Sequence, residues 1–294
     1  MNWTRLVEER FPGLTAKIRE EIENSEKDYE NQNGKDGFAE SHLWEHTRHV
    51  ASLAFRLACA EKRPPLLPTL AALFHDAGKF AGGRYHGENT IEEEESAEAA
   101  KRILGGFGMK PAELAKTLAG IKALYNEKSS KNSIAAIVHD ADFLSKFGAM
   151  GVAAFFTKAA LRGRTMEGAM LGYLSKELTY AACLPQNMRT AAGKKLAEQK
   201  ARDTIRFFRK LLGELRESGV ARLCIRRLRI SDPRSRKKHM EILLAASREC
   251  HQCGNSWQTA WFTEDGVKCT KLNVEWHCTE CGGSLMTSFC LPEV

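Results

Sequence analysis

Apolar residues recur at intervals of three and four along most of the chain, which is the spacing of amphipathic helices. Leu14, Ile18 and Ile22 would share one face of such a helix, and residues 41–62 run without glycine or proline. Alternation typical of strands is almost absent from residues 1–218, so the pattern predicts a mainly α protein with a helical domain there. Further helices are predicted at 91–104, 111–124, 131–148, 165–181 and 190–217.

The pattern changes toward the carboxyl end of the chain. Residues 219–231 alternate loosely and predict a strand, and the Ser-Asp-Pro that closes this run is a typical helix start. Residues 257–263 and 267–276 are aromatic and β-branched, and the Asp-Gly between them indicates a β-hairpin. We therefore expect a basic strand and helix connector at 219–248, followed by a small β domain at 249–294.

The chain length suggests one or two domains, and a hydrophobic fraction of 43% excludes a disordered or fibrous protein. No run approaches the roughly 20 consecutive apolar residues that span a bilayer. The first residues include acids where a signal peptide would have its apolar run. We therefore expect a cytoplasmic protein that does not use a membrane as its partner.

The net charge of +7, from 44 Lys and Arg against 37 Asp and Glu, is unevenly spread. Residues 201–240 contain 13 basic and 4 acidic residues, a net of +9, so the rest of the chain carries about −2. Arg226, Arg227 and Arg229 in this stretch could contact the phosphates of a nucleic acid. A solvated helix face and a linker are the alternative interpretation.

Six of the nine cysteines lie in the last 45 residues, and the odd total excludes complete pairing within the chain. Two C-x2-C pairs with 24 residues between them are each followed by glycine. Four thiolates at this spacing indicate a closed tetrahedral zinc site, and with the predicted hairpin they resemble a zinc ribbon. An iron–sulfur cluster or a redox pair is the alternative. The expected ligands of a structural zinc are Cys250, Cys253, Cys278 and Cys281.

Three helical segments place histidines or aspartates among apolar residues. They are EHTRHV at 45–50, LFHDAGK at 73–79 and VHDADFL at 138–144. A lone buried histidine is most often an ordinary core residue, but a buried carboxylate must be paired, neutralised or bound to a metal. Two imidazoles and two carboxylates that converge would form a mixed site suited to a first-row divalent cation.

The order of His46, then His75 and Asp76, then Asp140 resembles the H…HD…D pattern of the HD superfamily of metal-dependent phosphohydrolases. The resemblance extends over residues 35–215. It implies an HD-type helical bundle in which these four residues, on separate helices, bind one divalent metal. The sequence leaves the metal open among Mn, Fe, Co, Ni, Zn and Mg.

The ligand assignment has two open points. Family members with two metals carry further histidines between the doublet and the last aspartate, whereas this chain has only His86 there. A single metal is therefore favoured, with His86 as a substrate contact or an optional ligand. His139, in a second His-Asp doublet, could compete for the metal. Because the last position of the family pattern is a solitary aspartate, we assign Asp140 to the metal and His139 either to packing or to the support of a ligand.

The resemblance also implies a reaction, which is hydrolysis of a phosphate ester by metal-activated water. Asp76 and Lys79 are the candidate catalytic residues, and the Lys79 ammonium would neutralise charge on the phosphate. Arg84 and His86 are the candidate substrate-binding residues. An ordinary surface lysine is the alternative for Lys79. The glutamates at 92–95 form either a solvated first helical turn or supply a carboxylate that orients the water.

Three functions remain compatible with these residues. The favoured one is an enzyme, a phosphohydrolase that acts on a nucleotide or a related phosphorylated metabolite. The second is a nuclease or phosphodiesterase that holds single-stranded nucleic acid with residues 201–240 and the ribbon. The third is a non-enzymatic regulatory module that docks partners through the zinc ribbon. The oligomeric state is not determined by the sequence.

Overall fold

The fold is known from a computed structural model, which describes most of the helical region and five strands. The described residues are 2–32, 41–83, 91–124, 131–161, 163–170, 174, 177–178, 181, 185–219, 223–231, 239–247, 259–265, 271–277, 281–282 and 284–290. In this part of the chain helices predominate, so the prediction of a mainly α protein is confirmed.

The chain divides into two compact units. The first unit consists of Met1–Ser145 and Met188–Lys194, and the second consists of Lys146–Asn187 and Lys195–Val294. This division lies within the helical region, so the domain boundaries at residues 218 and 248 stay a prediction.

The first unit contains seven α-helices and a short 3-10 helix within its described residues. They are α1 (Trp3–Arg10), α2 (Leu14–Gln32), α3 (His42–Ala60), α4 (Leu66–Phe74), the 3-10 helix Ala81–Gly83, α5 (Glu92–Gly106), α6 (Pro111–Lys122) and α7 (Ser133–Ser145). Among all the described helices, none has both the length and the apolar character needed to cross a bilayer.

Helix α4 is the centre of this unit. Its sequence is apolar on every side, as expected of a helix that neighbours surround completely. Residues 70–74 are fully buried, and α4 packs against α3, α6 and α7. Helix α3 begins after Ser41, whose hydroxyl oxygen accepts a hydrogen bond from the Trp44 amide at 3.0 Å. The residues that follow α4 therefore enter the interior between α3 and α7.

The second unit contains α8 (Gly148–Leu161), the single-turn helix α9 (Met166–Ala169) and most of α10 (Ala191–Glu217), which begins in the first unit. Hydrophobic side chains of these helices and of residues 170–178 form one buried cluster. Its members are Val152, Met170, Leu174, Leu178, Phe208, Leu212 and Leu215. The hydroxyl of Thr204 on α10 accepts a hydrogen bond from the Gly148 amide at 2.7 Å, which ties α10 to the start of α8.

Five strands follow α10 in two antiparallel sheets. Strand β1 (Leu223–Ser231) pairs with β2 (His239–Ser247), and β3 (Thr259–Asp265), β4 (Lys271–His277) and β5 (Ser284–Cys290) form a sheet in that order. The strand predicted at 219–231 is present as β1, and the predicted hairpin is present as the β3–β4 pair.

The helix predicted in the connector is wrong, because the structure has β2 there. The segment HMEILLAAS places Met240, Ile242 and Leu244 at alternate positions, which suits a strand. Strand β1 offers it a complete antiparallel partner, with Leu228 opposite Ile242. Pairing with β1 therefore determines the local structure, as is common for sequences whose own preference is weak.

Candidate metal centre

Three side chains from separate elements of the first unit converge in its interior. His46 lies on α3, His75 directly follows α4, and Asp142 lies on α7. Each offers one ligand atom, and the three atoms lie within 4.8 Å of one another. The two Nε2 atoms of His46 and His75 are 3.3 Å apart, and Asp142 Oδ1 is 3.3 Å from the first and 3.9 Å from the second.

The orientation of the His75 ring is fixed by the end of α4. Its Nδ1 lies 2.8 Å from the carbonyl oxygen of Ala72. Because a carbonyl oxygen only accepts, Nδ1 carries the hydrogen and donates it, so the neutral ring has its lone pair on Nε2. That lone pair points toward His46 and Asp142. A backbone carbonyl behind the ring is the usual arrangement for a histidine that ligates a metal.

Asp76 lies beside both imidazoles. Its carboxylate oxygens are 3.5 Å from Nε2 of His75 and 3.6 Å from Nε2 of His46. Lys79 Nζ donates a hydrogen bond of 2.6 Å to Asp76 Oδ2. Burial on its own would raise the pKa of Asp76, but His75 in its protonated form and the Lys79 ammonium lower it by more, so the net pKa is below its ordinary value.

Lys79 is only partly exposed, and neighbouring carboxylates stabilise its positive charge. Burial would lower its pKa, but Asp76 and then Glu92 raise it by more, so the net pKa is above its ordinary value. Asp76 and Lys79 therefore form a charged pair at the edge of the imidazole cluster.

The donor set fits a divalent cation. His75, Asp76 and Asp142 are at most 4% exposed, and burial lowers the pKa of His46, which favours its neutral, ligating form. The Lys79 ammonium can offset one of the two buried carboxylates but not both. A divalent cation between the ring nitrogens and Asp142 would supply the remaining charge.

Asp140 does not face this cluster, and the sequence-based assignment is corrected at this point. Its Oδ1 accepts a hydrogen bond from the Arg189 amide at 2.9 Å and lies 3.0 Å from His139 Nδ1. Its Oδ2 accepts from the amide and the hydroxyl of Thr190, at 2.8 and 2.7 Å. Asp140 thus binds the segment that leads into α10, while Asp142 takes the place beside the imidazoles.

The two aspartates point in different directions because they are two positions apart on α7, a rotation of about 200°. Only one of them can face His46 and His75. His139 stacks on Phe143 with ring centroids 4.6 Å apart, in keeping with the packing role expected of it. The helical phase of α7 relative to α3 and α4 would have identified Asp142, but the sequence pattern does not contain that information.

Gly193 allows the carboxylate of Asp140 to lie close to the backbone at the start of α10. A Cβ on Gly193 would lie 2.3 Å from Asp140 Oδ2, so the carboxylate occupies the space that any other side chain would need. Thr190 Oγ1 accepts a hydrogen bond from the Gly193 amide at 2.9 Å and caps the helix. A carboxylate at this helix end is also favoured by the helix dipole.

Glu92 joins the metal centre through a second close approach. A Cβ on Gly78 would lie 2.5 Å from the Glu92 carbonyl oxygen, so the turn after His75 packs directly on the start of α5. Glu92 is half-buried there and hydrogen-bonds with Asp76; burial and then the Asp76 charge raise its pKa to about 7. Glu94 instead forms an exposed ion pair with Lys122. Glu92 is therefore not part of a fully solvated turn, and a role of its carboxylate in orienting water stays a prediction.

Several predicted site residues lie outside the described part of the chain. They are the substrate-binding candidates Arg84 and His86 and the zinc-ligand candidates Cys250, Cys253 and Cys278. The fourth cysteine, Cys281, is described and exposed. The zinc ribbon and the substrate contacts therefore stay predictions.

Comparisons with known proteins agree with the helical fold. Residues 43–145 match the family model of the HD domain. A predicted HD superfamily hydrolase from an uncultured Thermotogales bacterium is similar in structure, with 23% identity, a TM-score of 0.51 and coverage of 73% of this chain and 99% of that one. Bacillus subtilis YpgQ, in a crystal structure with ADP, has 20% identity, a TM-score of 0.50 and coverage of 68% and 97%.

No curated protein matches the chain in sequence. At these identities the structural likeness concerns the fold, whereas the family match and the His46, His75 and Asp142 cluster concern the metal centre itself. Residues 43–145 thus match the HD domain model, within a fold that is similar to that of a predicted HD superfamily hydrolase.

Proposed function

We propose that the protein is a metal-dependent phosphohydrolase that cleaves a phosphate ester of a nucleotide or a related phosphorylated metabolite. The observation that carries this proposal is the convergence of His46, His75 and Asp142 on one buried point in an HD domain. Asp76 stands beside them, and we propose that these four residues hold one divalent cation.

A bound divalent ion supplies Lewis acidity, which activates water and polarises a phosphoryl oxygen. The protein side chains supply the rest of the chemistry. His75 keeps its ring fixed through Ala72, and Asp76 is kept ionised by the Lys79 ammonium. Neither residue has to reorganise when substrate arrives, which is the condition for electrostatic catalysis.

Lys79 is the candidate for binding the phosphate. Its ammonium carries three hydrogens, of which one is donated to Asp76 Oδ2. The side chain is 24% exposed, so the remaining donors can reach a phosphoryl oxygen that approaches the centre. Lys79 would thereby hold Asp76 in place and neutralise charge that develops on the phosphate.

Glu92 is the candidate for moving a proton. A carboxyl group with a pKa of about 7 is present in both protonation states near neutrality, which is the optimum for general acid–base catalysis. Its hydrogen bond with Asp76 places it at the edge of the metal centre. We propose that Glu92 transfers the proton between water and the leaving group.

Nucleotides are the first substrate class to test. The Bacillus subtilis YpgQ structure was determined in complex with ADP, and that protein shares the fold of this chain. We further propose that Cys250, Cys253, Cys278 and Cys281 bind a structural zinc and that the protein acts in the cytoplasm, where thiols stay reduced.

The test is phosphate release from a panel of nucleotides, measured on the full chain with each candidate metal in turn. His46→Ala should abolish turnover and divalent-metal binding at this centre. His49→Ala, one turn further along the same helix, is the matched control and should keep both. Full activity in His46→Ala would contradict the proposal, as would a complete absence of turnover across the panel.

A further inference from the structure

Helix α10 carries a row of basic side chains on its outer face. The row, called the basic stripe here, consists of Lys195, Arg202, Arg206, Arg209 and Arg216, all exposed. At 3.6 residues per turn these positions fall within roughly 80° of arc and extend over about 32 Å. The sequence showed only a basic stretch that began near residue 201, and the helix geometry reveals its alignment.

The buried face of α10 lies about 120° around the helix from the centre of the stripe. Phe208, Leu212 and Leu215 are buried in the hydrophobic cluster with Val152 and Met170. The apolar face of the helix is already packed, and Phe207 is the one large hydrophobic residue exposed among the described residues of α10, so the helix lacks an apolar face that could insert into a membrane surface. The stripe can therefore act only through its charges and hydrogen-bond donors.

Little negative charge balances the stripe. Among the described residues, no ion pair involves Lys195, Arg202, Arg209 or Arg216. Arg206 lies 3.4 Å from Asp203, but both side chains are exposed, and such pairs contribute little. Glu198 is also exposed and falls within the same arc, one turn before Arg202, so this face carries five cations and one carboxylate over about six turns.

We propose that the basic stripe binds the phosphate backbone of a nucleic acid. Four of its five cations are arginines, whose planar guanidinium groups bind phosphate through two parallel hydrogen bonds. The row of about 32 Å is as long as about nine base pairs of a duplex measured along its axis, so it can meet phosphates only where the strands cross it. Hydrolysis of a small phosphorylated substrate at the metal centre does not need this surface, so the inference is independent of the proposed function.

The first measurement is binding of the full chain to fluorescently labelled 20-nucleotide DNA, single-stranded and duplex, by anisotropy at increasing KCl. If four or five phosphates are contacted, the logarithm of the affinity should fall with that of salt at a slope of about −4. That slope corresponds to a loss of about 100-fold or more between 50 and 200 mM salt. Absence of binding to both DNAs at 50 mM KCl would overturn the proposal.

The second measurement compares two variants that each lose three positive charges. The combined Arg202→Gln, Arg206→Gln and Arg209→Gln variant should bind about tenfold or more weakly and show a slope reduced by about 2 to 3. The control is Lys27→Gln, Arg56→Gln and Lys116→Gln, at exposed positions on three other helices. Equal weakening in both variants would mean that net charge alone acts, and would overturn the assignment to the stripe.

A third variant separates charge from folding. Arg202→Lys, Arg206→Lys and Arg209→Lys keep the charge and should retain most of the binding, with a similar salt slope. Loss of binding in this variant with an unchanged circular dichroism spectrum would overturn the assignment of binding to the charges of the stripe. Binding to vesicles rich in phosphatidylserine, without binding to DNA, would overturn the proposal in favour of a lipid surface.

Discussion

Helix α7 carries one buried aspartate on each of two faces, and the two aspartates have different partners. On one face Asp140 accepts hydrogen bonds from the amides of Arg189 and Thr190 and from the Thr190 hydroxyl. On the other face Asp142 lies against the ring nitrogens of His46 and His75. A buried aspartate whose oxygens accept hydrogen bonds from protein donors stabilises the fold. A buried aspartate that lies against the unprotonated nitrogens of two imidazoles is suited instead to bind a cation.

The largest expected effect comes from removal of the carboxylate on the metal side. Asp142→Ala should lower phosphate release by about 1,000-fold or more, since a ligand of the cation is lost. The fold should persist, because the imidazoles need no counter-charge in their neutral form. Parallel assays of kcat and of circular dichroism check this expectation, and near-normal turnover in Asp142→Ala would remove Asp142 from the centre.

The next effect concerns the other face of the helix. Asp140→Ala leaves several partly buried donors at residues 189–190 without their acceptor, so the free energy of unfolding should drop by about 3 kcal/mol. Asp140→Asn keeps one acceptor oxygen and should lose less. Urea denaturation gives both values, and a loss below about 1 kcal/mol in Asp140→Ala would show that Asp140 is no anchor.

A smaller effect is expected where Asp140 meets α10. Gly193→Ala places a Cβ in the position of Asp140 Oδ2 and should destabilise the protein by about 2 kcal/mol. Gly213→Ala on the same helix meets nothing within 4 Å, so it should stabilise the protein by about 0.5 to 1 kcal/mol through helix propensity. If the two substitutions shift the thermal midpoint in the same direction, the close approach at Gly193 is not what the structure indicates.

The smallest expected effect is a pH dependence of the free energy of unfolding, and it arises from a third carboxylate, Glu92. The pKa of Glu92 is raised from 4.5 to about 7 in the folded protein, first by burial. Between these pH values the folded state therefore holds a proton that the unfolded state has released. Stability is then present at low pH and is lost as the pH rises toward 7.

Glu92→Gln should remove this slope. Urea midpoints of the metal-free protein at pH 5 and pH 7 measure it, with Glu95→Gln on the same helix as the control. An equal slope in wild type and Glu92→Gln would mean that the Glu92 carboxyl titrates normally.

The sequence predicted the helical fold and three of the four residues of the proposed metal centre. Helical spacing predicted the helices, and the order of His46, His75 and Asp76 led to residues that the structure brings together. The choice between Asp140 and Asp142 depended on the rotation of α7 against α3 and α4, which is set by packing and is not written in local spacing. The choice could be made only with the hydrogen-bond donors of residues 189–190, which lie about 50 positions further along the chain.

Two other features, the burial of Glu92 and strand β2, were not predicted from the sequence for similar reasons. Glu92 is half-buried because Gly78 lets the turn after His75 touch the start of α5, a contact between distant segments. Strand β2 replaced the expected helix because β1 offered a partner. In each case the outcome depended on a second segment whose position no local pattern encodes.

Binding of Mn²⁺ is the most direct test of the different roles of Asp140 and Asp142 on α7. Carboxylate and imidazole sites accept Mn²⁺ whereas thiolate sites select zinc, so electron paramagnetic resonance of Mn²⁺-titrated protein reports on the helical centre alone. Wild type and Asp140→Asn should bind one Mn²⁺ with similar affinity, and Asp142→Ala should bind it at least 100-fold more weakly. Tight binding in Asp142→Ala together with its loss in Asp140→Asn would contradict the account.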